Sequence, residues 1–168
     1  MGGLFYHDVL VALSAAGVPF VVVGGVAVNL QGVPRFTADV DLAVALDGRI
    51  LVEAARVLGE LGLRSRLPVT AAELSDTDTV RRWTVERNLT ALTFVDPAEP
   101  LREVDLVVAS PVPYDELART AERLTAGGLT FAVASIDALI RMKSGTGRAQ
   151  DASDVDALRR VKGGPGGA

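Results

Sequence analysis

Cysteine is absent from the 168 residues and histidine occurs once, at His7. That rules out a disulfide framework, a thiolate metal site and a cysteine nucleophile, and it argues against a histidine-rich zinc site. The lack of cysteine does not itself fix the compartment. No apolar run reaches the roughly 18 residues of a membrane span. The start, MGGLFYHDVL, lacks the basic region and cleavage pattern of a signal peptide, so a cytoplasmic protein is the expectation. Positive charge is also in short supply. The net charge is −4 and the pI about 5.0, which argues against tight nonspecific binding to a phosphate backbone, although a local basic patch would be compatible with it. What remains is ordinary globular composition, 49% hydrophobic and 23% charged, with enough chain for one compact core.

There are no repeats and no evident linker, so residues 1–162 read as one domain and the glycine-rich stretch 163–168 as a disordered tail. Apolar residues at helical spacing predict a helix over 4–16, ending at Gly17. The β-branched run 18–23 predicts a buried strand, 25–30 a short helix, 37–46 a second strand and 50–61 an amphipathic helix. The polar stretch 64–79 reads as loop. Residues 80–86 and 89–96 read as a hairpin turning at Arg87-Asn88. A strand follows over 102–109, then a helix over 114–121 and a hairpin over 123–134 that turns at Gly127-Gly128. Ser135 is placed to cap a helix through Lys143, and 149–161 reads as a last helix with Asp151 as a candidate cap. This order is that of a mixed α/β or α+β domain with helices against a sheet.

Chemistry concentrates in VVVGGVAVNLQGVPRFTADVDLAVAL, residues 21–46. Asp39 and Asp41 stand two apart in an oily strand and so point to one face, with Val40, Leu42 and Val44 on the other. Two carboxylates side by side on a sheet repel each other and are costly to desolvate, so a cation should sit between them. Oxygen ligands of this kind suit Mg2+ or Mn2+. Asp105, in the apolar run EVDLVVA, is the candidate third ligand, with Glu103 on the same strand face. Two metals in such a site can activate an attacking hydroxyl and stabilise a leaving pyrophosphate oxygen. Gly24-Gly25 at a strand-to-helix junction would let backbone N–H groups approach a triphosphate; a tight turn uses the same pair.

Together, the GG pair, the short helix, Arg35-x-Thr37-x-Asp39-x-Asp41 and a downstream Asp105 resemble the nucleotidyltransferase superfamily with the polymerase-β-type fold. More narrowly, the chain resembles AbiEii-like and other small nucleotidyltransferase-like proteins of bacteria and archaea. The resemblance implies an α+β mixed sheet flanked by helices. It also implies that Gly24 and Gly25 close the triphosphate pocket, that Asp39, Asp41 and Asp105 are the metal-binding and catalytic acids, and that Arg35 and Thr37 form the lead-in. Arg35 would either contact phosphate or pair with a carboxylate.

A second likeness to this group lies in SIDALIRMKSGTGRAQDASDVDAL, residues 135–158: Lys143, then Arg148, then Asp151-x-x-Asp154 opening a helix. Lys143 would neutralise phosphate charge. Arg148, Asp151 and Asp154 are auxiliary candidates, and the two acids serve equally well as caps and salt-bridge partners.

The implied activity is metal-dependent transfer of an NMP group from an NTP to an acceptor hydroxyl of RNA, tRNA or protein, in a toxin–antitoxin or phage-defence setting with a cognate partner. Two other readings stand beside it: a catalytically silent nucleotide-binding or antitoxin-like module, and modification of an aminoglycoside or lincosamide. His7 reads as a surface or half-buried histidine. Trp83 and Phe94 read as core residues of hairpin strands. Arg81, Arg82 and Arg87 read as a solvated strand face, and Arg64 and Arg66 as complements to a helix C-terminus.

Overall fold

A computed structural model describes residues 6–164. The elements run α1 (His7–Ala15), β1 (Val21–Val23), α2 (Gly24–Leu30), β2 (Asp39–Ala43), α3 (Gly48–Glu60), β3 (Arg64–Ser65), α4 (Ala71–Ser75) and α5 (Thr77–Glu86). They continue with β4 (Ala91–Val95), β5 (Glu103–Val107), α6 (Tyr114–Thr120), β6 (Glu122–Ala126), β7 (Leu129–Val133), α7 (Ile136–Lys143) and α8 (Ala149–Lys162). The seven strands form one mixed sheet in the order β3-β4-β5-β2-β1-β7-β6. The β2–β5 and β1–β7 pairs are parallel and the others antiparallel. The expected mixed sheet with flanking helices is the observed one.

Period-two alternation builds the centre of this sheet. Val40, Leu42, Val104, Leu106, Leu92 and Phe94 are buried on one face, and each contributes about 1.5–3 kcal/mol by leaving water. Their neighbours on the opposite face are Asp39, Asp41, Glu103, Asp105, Ala91 and Thr93. Tyr6 fastens the entry to this region: its hydroxyl donates to the Ala38 carbonyl and accepts the Glu103 N–H. Helices α1 and α3 pack on each other, α3 packs on α4, and α7 bridges α2 and α8.

Several boundaries differ from expectation. The first strand starts at Val21 because Pro19 has no N–H to give a ladder. The second starts at Asp39 because the Thr37 hydroxyl turns to the Asp39 carbonyl and carboxylate. The first helix begins at Tyr6-His7 among the described residues; positions 4 and 5 of the expected helix, and 165–168 of the expected tail, lie outside them.

The segment 64–88 is the main correction, whereas the strand expected over 89–96 is β4. The expected loop contains β3 and α4, and α4 opens on a capping box in which Thr70 and Glu73 each satisfy the other's backbone N–H. The expected first hairpin strand is α5. Asp76 caps it, Val80 buries into the core and Trp83 packs against the core one turn on. Capping and burial outweigh the strand preference of its Thr and Val residues. Asn88, at φ 50°, ends that helix instead of turning a hairpin. Trp83 therefore sits on a helix, while Phe94 is a core strand residue as expected.

Candidate active site

Parallel pairing of β2 with β5 sets Asp41 beside Asp105 and Asp39 beside Glu103. One oxygen from each of Asp39, Asp41 and Asp105 lies within 4.8 Å of the other two. Burial, then the charges of Asp39 and Asp105, push the Asp41 carboxyl up to about 7. Asp105 is raised too, chiefly by burial, although Thr93 donates to it at 2.5 Å and so favours the charged form. The cluster therefore holds more negative charge than its surroundings neutralise. Three convergent hard oxygen donors fit a divalent cation such as Mg2+ or Mn2+, and they would be the residues to hold it. Glu103 shares their face but accepts Arg66 at 2.5 Å.

The glycine pair belongs to the same construction. Gly24 has φ +65°, where a side chain is strained, and a Cβ there would collide with the Asp41 carboxylate. A Cβ on Gly25 would stand 2.8 Å from the Thr37 hydroxyl. The two glycines thus let the Arg35–Asp41 segment close against α2. Both border a cavity of about 470 Å³ that is also lined by Arg35, Thr37, the three acids, Thr90 and Ala91.

Helices α7 and α8 supply the facing wall. Ser135 caps α7 through the Ala138 N–H, as expected. The Lys143 ammonium, at the end of α7, lies 2.9 Å from both Asp151 Oδ1 and Asp154 Oδ2. Two of its three donors are spent there, and the residue also lines the cavity. Arg35 pairs with Asp154, and Arg148 Nε lies 2.7 Å from Asp151. Thr146 and Gln150 complete the acceptor capacity of the two carboxylates. Asp151 and Asp154 are 4% and 2% exposed. Burial alone would raise their pKa values; hydrogen bonds from Lys143 and its charge outweigh it and hold both below the usual carboxylate range. Asp151 is not the cap of α8: it sits in the first turn, with its carboxylate turned to Lys143, Thr146 and Arg148. Of the capping and salt bridging expected together for this pair, the salt bridges are observed and the cap is not. Arg35 likewise makes a carboxylate pair, while remaining in the cavity wall.

Every expected site residue except Asp154 lines the one cavity. Thr90, Ala91 and Gln150 are additions to its lining and Thr93 is an added partner of Asp105; being neutral, they carry no motif. Among the residues set aside, His7 is half-buried and contacts the Gly127 carbonyl at 3.1 Å. Arg64 reaches the Gly59 carbonyl at the end of α3, as expected, while Arg66 takes Glu103 instead.

No sequence-family profile matches the chain, and no curated protein is similar to it in sequence. Solved structures are similar in fold. The lincosamide antibiotic adenylyltransferase LnuA, lincomycin-bound, superposes with a TM-score of 0.62 at 13% identity, over 92% of this chain and 94% of that one. The fold is that of nucleotidyltransferases. ANT(2")-Ia in complex with adenylyl-2"-tobramycin gives a TM-score of 0.58 at 16% identity, over 94% and 87% of the two chains. An antigenic nucleotidyltransferase-like protein from Paracoccidioides brasiliensis gives 0.51 at 19%, over 91% and 72%. No helix among the described residues is long and apolar enough to cross a membrane.

Proposed function

We propose that the protein is a metal-dependent nucleotidyltransferase that moves an NMP group from an NTP to a hydroxyl of a small-molecule acceptor. The observation that carries this reading is the convergence of Asp39, Asp41 and Asp105 on a cavity whose facing wall holds Lys143, Arg35 and Arg148. Negative charge on one side and positive charge on the other suits a metal–triphosphate, because phosphoryl-type transfer needs positioning and electrostatics more than a side-chain nucleophile. A divalent metal held by the three acids would supply electrophilic stabilisation of the reacting phosphate oxygens.

Lys143 has one N–H left for a phosphate, and the two buried acids fix where it points. Arg35 and Arg148 add charge at the same wall. The acceptor oxygen bonds to the α-phosphorus, and the bond to the β-phosphate oxygen breaks with its electron pair leaving on pyrophosphate. The hydroxyl proton passes to the Asp105 carboxylate, which borders the cavity from β5. A small acceptor is favoured over RNA by the net charge of −4, and fold neighbours bound to lincomycin and adenylyl-tobramycin support it by analogy.

The test is incubation with each α-labelled NTP and Mg2+ in the presence of small hydroxylated acceptors, total RNA or protein. The expected result is label on a small molecule, lost by roughly a thousandfold or more in Asp39→Ala/Asp41→Ala. Label on RNA or protein would move the protein to the toxin-like reading. NTP binding with no transfer to any class would leave a silent nucleotide-binding module.

A further inference from the structure

The two sides of the acid cluster differ in charge. Arg35, Lys143 and Arg148 all border the cavity from the α2, α7 and α8 side, whereas Thr90 and Ala91 border it from β4. In an in-line displacement the entering and leaving oxygens stand on opposite sides of phosphorus. If the cations hold the triphosphate, the acceptor has to come from the β4 side.

A second, smaller cavity of about 100 Å³ lies at that side. Its lining residue Leu89 directly precedes Thr90, which borders the first cavity. The strand β3 runs antiparallel beside β4, with the Arg66 N–H bonded to the Thr93 carbonyl, and so delivers Leu67 and Val69 to the same end. Trp83 supplies a half-buried ring, and Leu67, 43% exposed, stands at the opening. One carboxylate and one guanidinium border this cavity, those of Glu73 and Arg87. The Glu73 carboxylate holds the Thr70 N–H at 2.8 Å in its capping box, and Arg87 lies over the Trp83 ring at 5.6 Å. With one charge of each sign, the lining selects neither a polycation nor a nucleic acid. The cavity offers apolar surface and one aromatic edge. Its size is below the roughly 150 Å³ that accommodates benzene and suits a short alkyl group.

We infer that the Leu67–Val69, Trp83 and Leu89 cavity is the acceptor's specificity subsite, and that the acceptor is an uncharged hydroxylated molecule bearing a short apolar substituent. This rests on the transferase reading, which assigns the acceptor to the β4 side.

Trp83 is the chain's one tryptophan, so its emission reports this cavity directly. The probes are n-butyl β-D-glucoside, D-glucose and spermine, titrated with Mn2+ and ATP present; Mn2+ binding is followed in parallel by electron paramagnetic resonance. The expected result is a saturable shift of Trp83 emission with butyl glucoside, at least tenfold tighter than with glucose and absent with spermine. Leu67→Asp, at an exposed position, should bring butyl glucoside within about twofold of glucose while Mn2+ binding stays unchanged. Equal responses to the two sugars, or a stronger response to spermine, with Mn2+·ATP bound normally, would overturn the subsite and leave the transferase reading standing. Failure of the wild type to bind Mn2+ and ATP would overturn the transferase reading, and the acceptor role with it.

Discussion

Two groups of aspartates border or back one cavity, and their environments are opposite. Asp39, Asp41 and Asp105 repel one another on the sheet, and Asp41 is pushed up to about 7. Asp151 and Asp154 are buried as well, yet Lys143, Arg35, Arg148, Thr146 and Gln150 satisfy them and hold both below the usual range. Burial penalises a carboxylate in both places; partners decide the outcome. The paired group is a scaffold that positions cations. The sheet group has hydroxyl partners in Thr37 and Thr93 but, among the described residues, no ion pair.

Exchanging charge for neutrality should therefore act in opposite directions in the two groups. Asp154→Ala removes a partner of both Lys143 and Arg35, and is expected to destabilise the protein by about 3 kcal/mol, as breaking a buried pair does. Asp41→Asn should instead raise the melting temperature of the metal-free protein at pH 8, because it relieves repulsion. Thermal unfolding in EDTA measures both. Destabilisation by Asp41→Asn would break the contrast.

Titration sharpens the same contrast without mutation. The Asp41 contribution to stability is complete below its ordinary value of 3.8 and is lost as pH rises through about 7, since the folded state binds the proton more tightly. The full swing is at most about 4 kcal/mol. The Asp151 and Asp154 contributions are present above the ordinary value and are lost as pH falls through their lowered folded values. From these groups, metal-free stability should peak near pH 4 and decline towards pH 7. Added Mg2+ should flatten the decline, by replacing proton with metal between the acids. Melting temperatures from pH 3 to 8, with and without Mg2+, check it.

The legible parts of the sequence are those in which local pattern and tertiary role agree. Asp39-x-Asp41 and Glu103-x-Asp105 each declare a polar face, and parallel pairing converts two such declarations into one cluster. Ser135 as a cap, and the Gly127-Gly128 turn between β6 and β7, were equally readable. Residues 77–88 were not. Asn88 favours the left-handed region whether it turns a hairpin or ends a helix, and the Thr and Val residues of α5 favour a strand. The deciding facts were Asp76 capping α5 and Val80 reaching the core, and the second of these is visible only after folding. Asp151 and Asp154 were ambiguous for a related reason, since their spacing fits capping with ion pairing as well as it fits a substrate role.

Gly24 couples fold to site, and its substitution should have a smaller effect than charge removal. In Gly24→Ala the left-handed φ of +65° costs about 1–2 kcal/mol. The new methyl must also displace the Asp41 carboxylate, so Mn2+ affinity should fall together with the melting temperature. Loss of stability with Mn2+ affinity intact would mean that Asp41 is not a ligand.

The smallest effect is expected at Arg148. It pairs with the same Asp151 as Lys143, but its side chain is 76% exposed against 10% for Lys143. An exposed arm gains little from an ion pair, typically below 1 kcal/mol, whereas Asp151 keeps Lys143 and Thr146 when it is gone. Arg148→Gln should therefore leave the melting temperature within a few degrees of wild type and weaken ATP binding only modestly, with a shallower dependence on salt. Lys143→Gln should strip both buried acids of their shared cation and lose stability and ATP affinity together. If the two variants behaved alike, burial would not be what separates the scaffold cation from the rim cation.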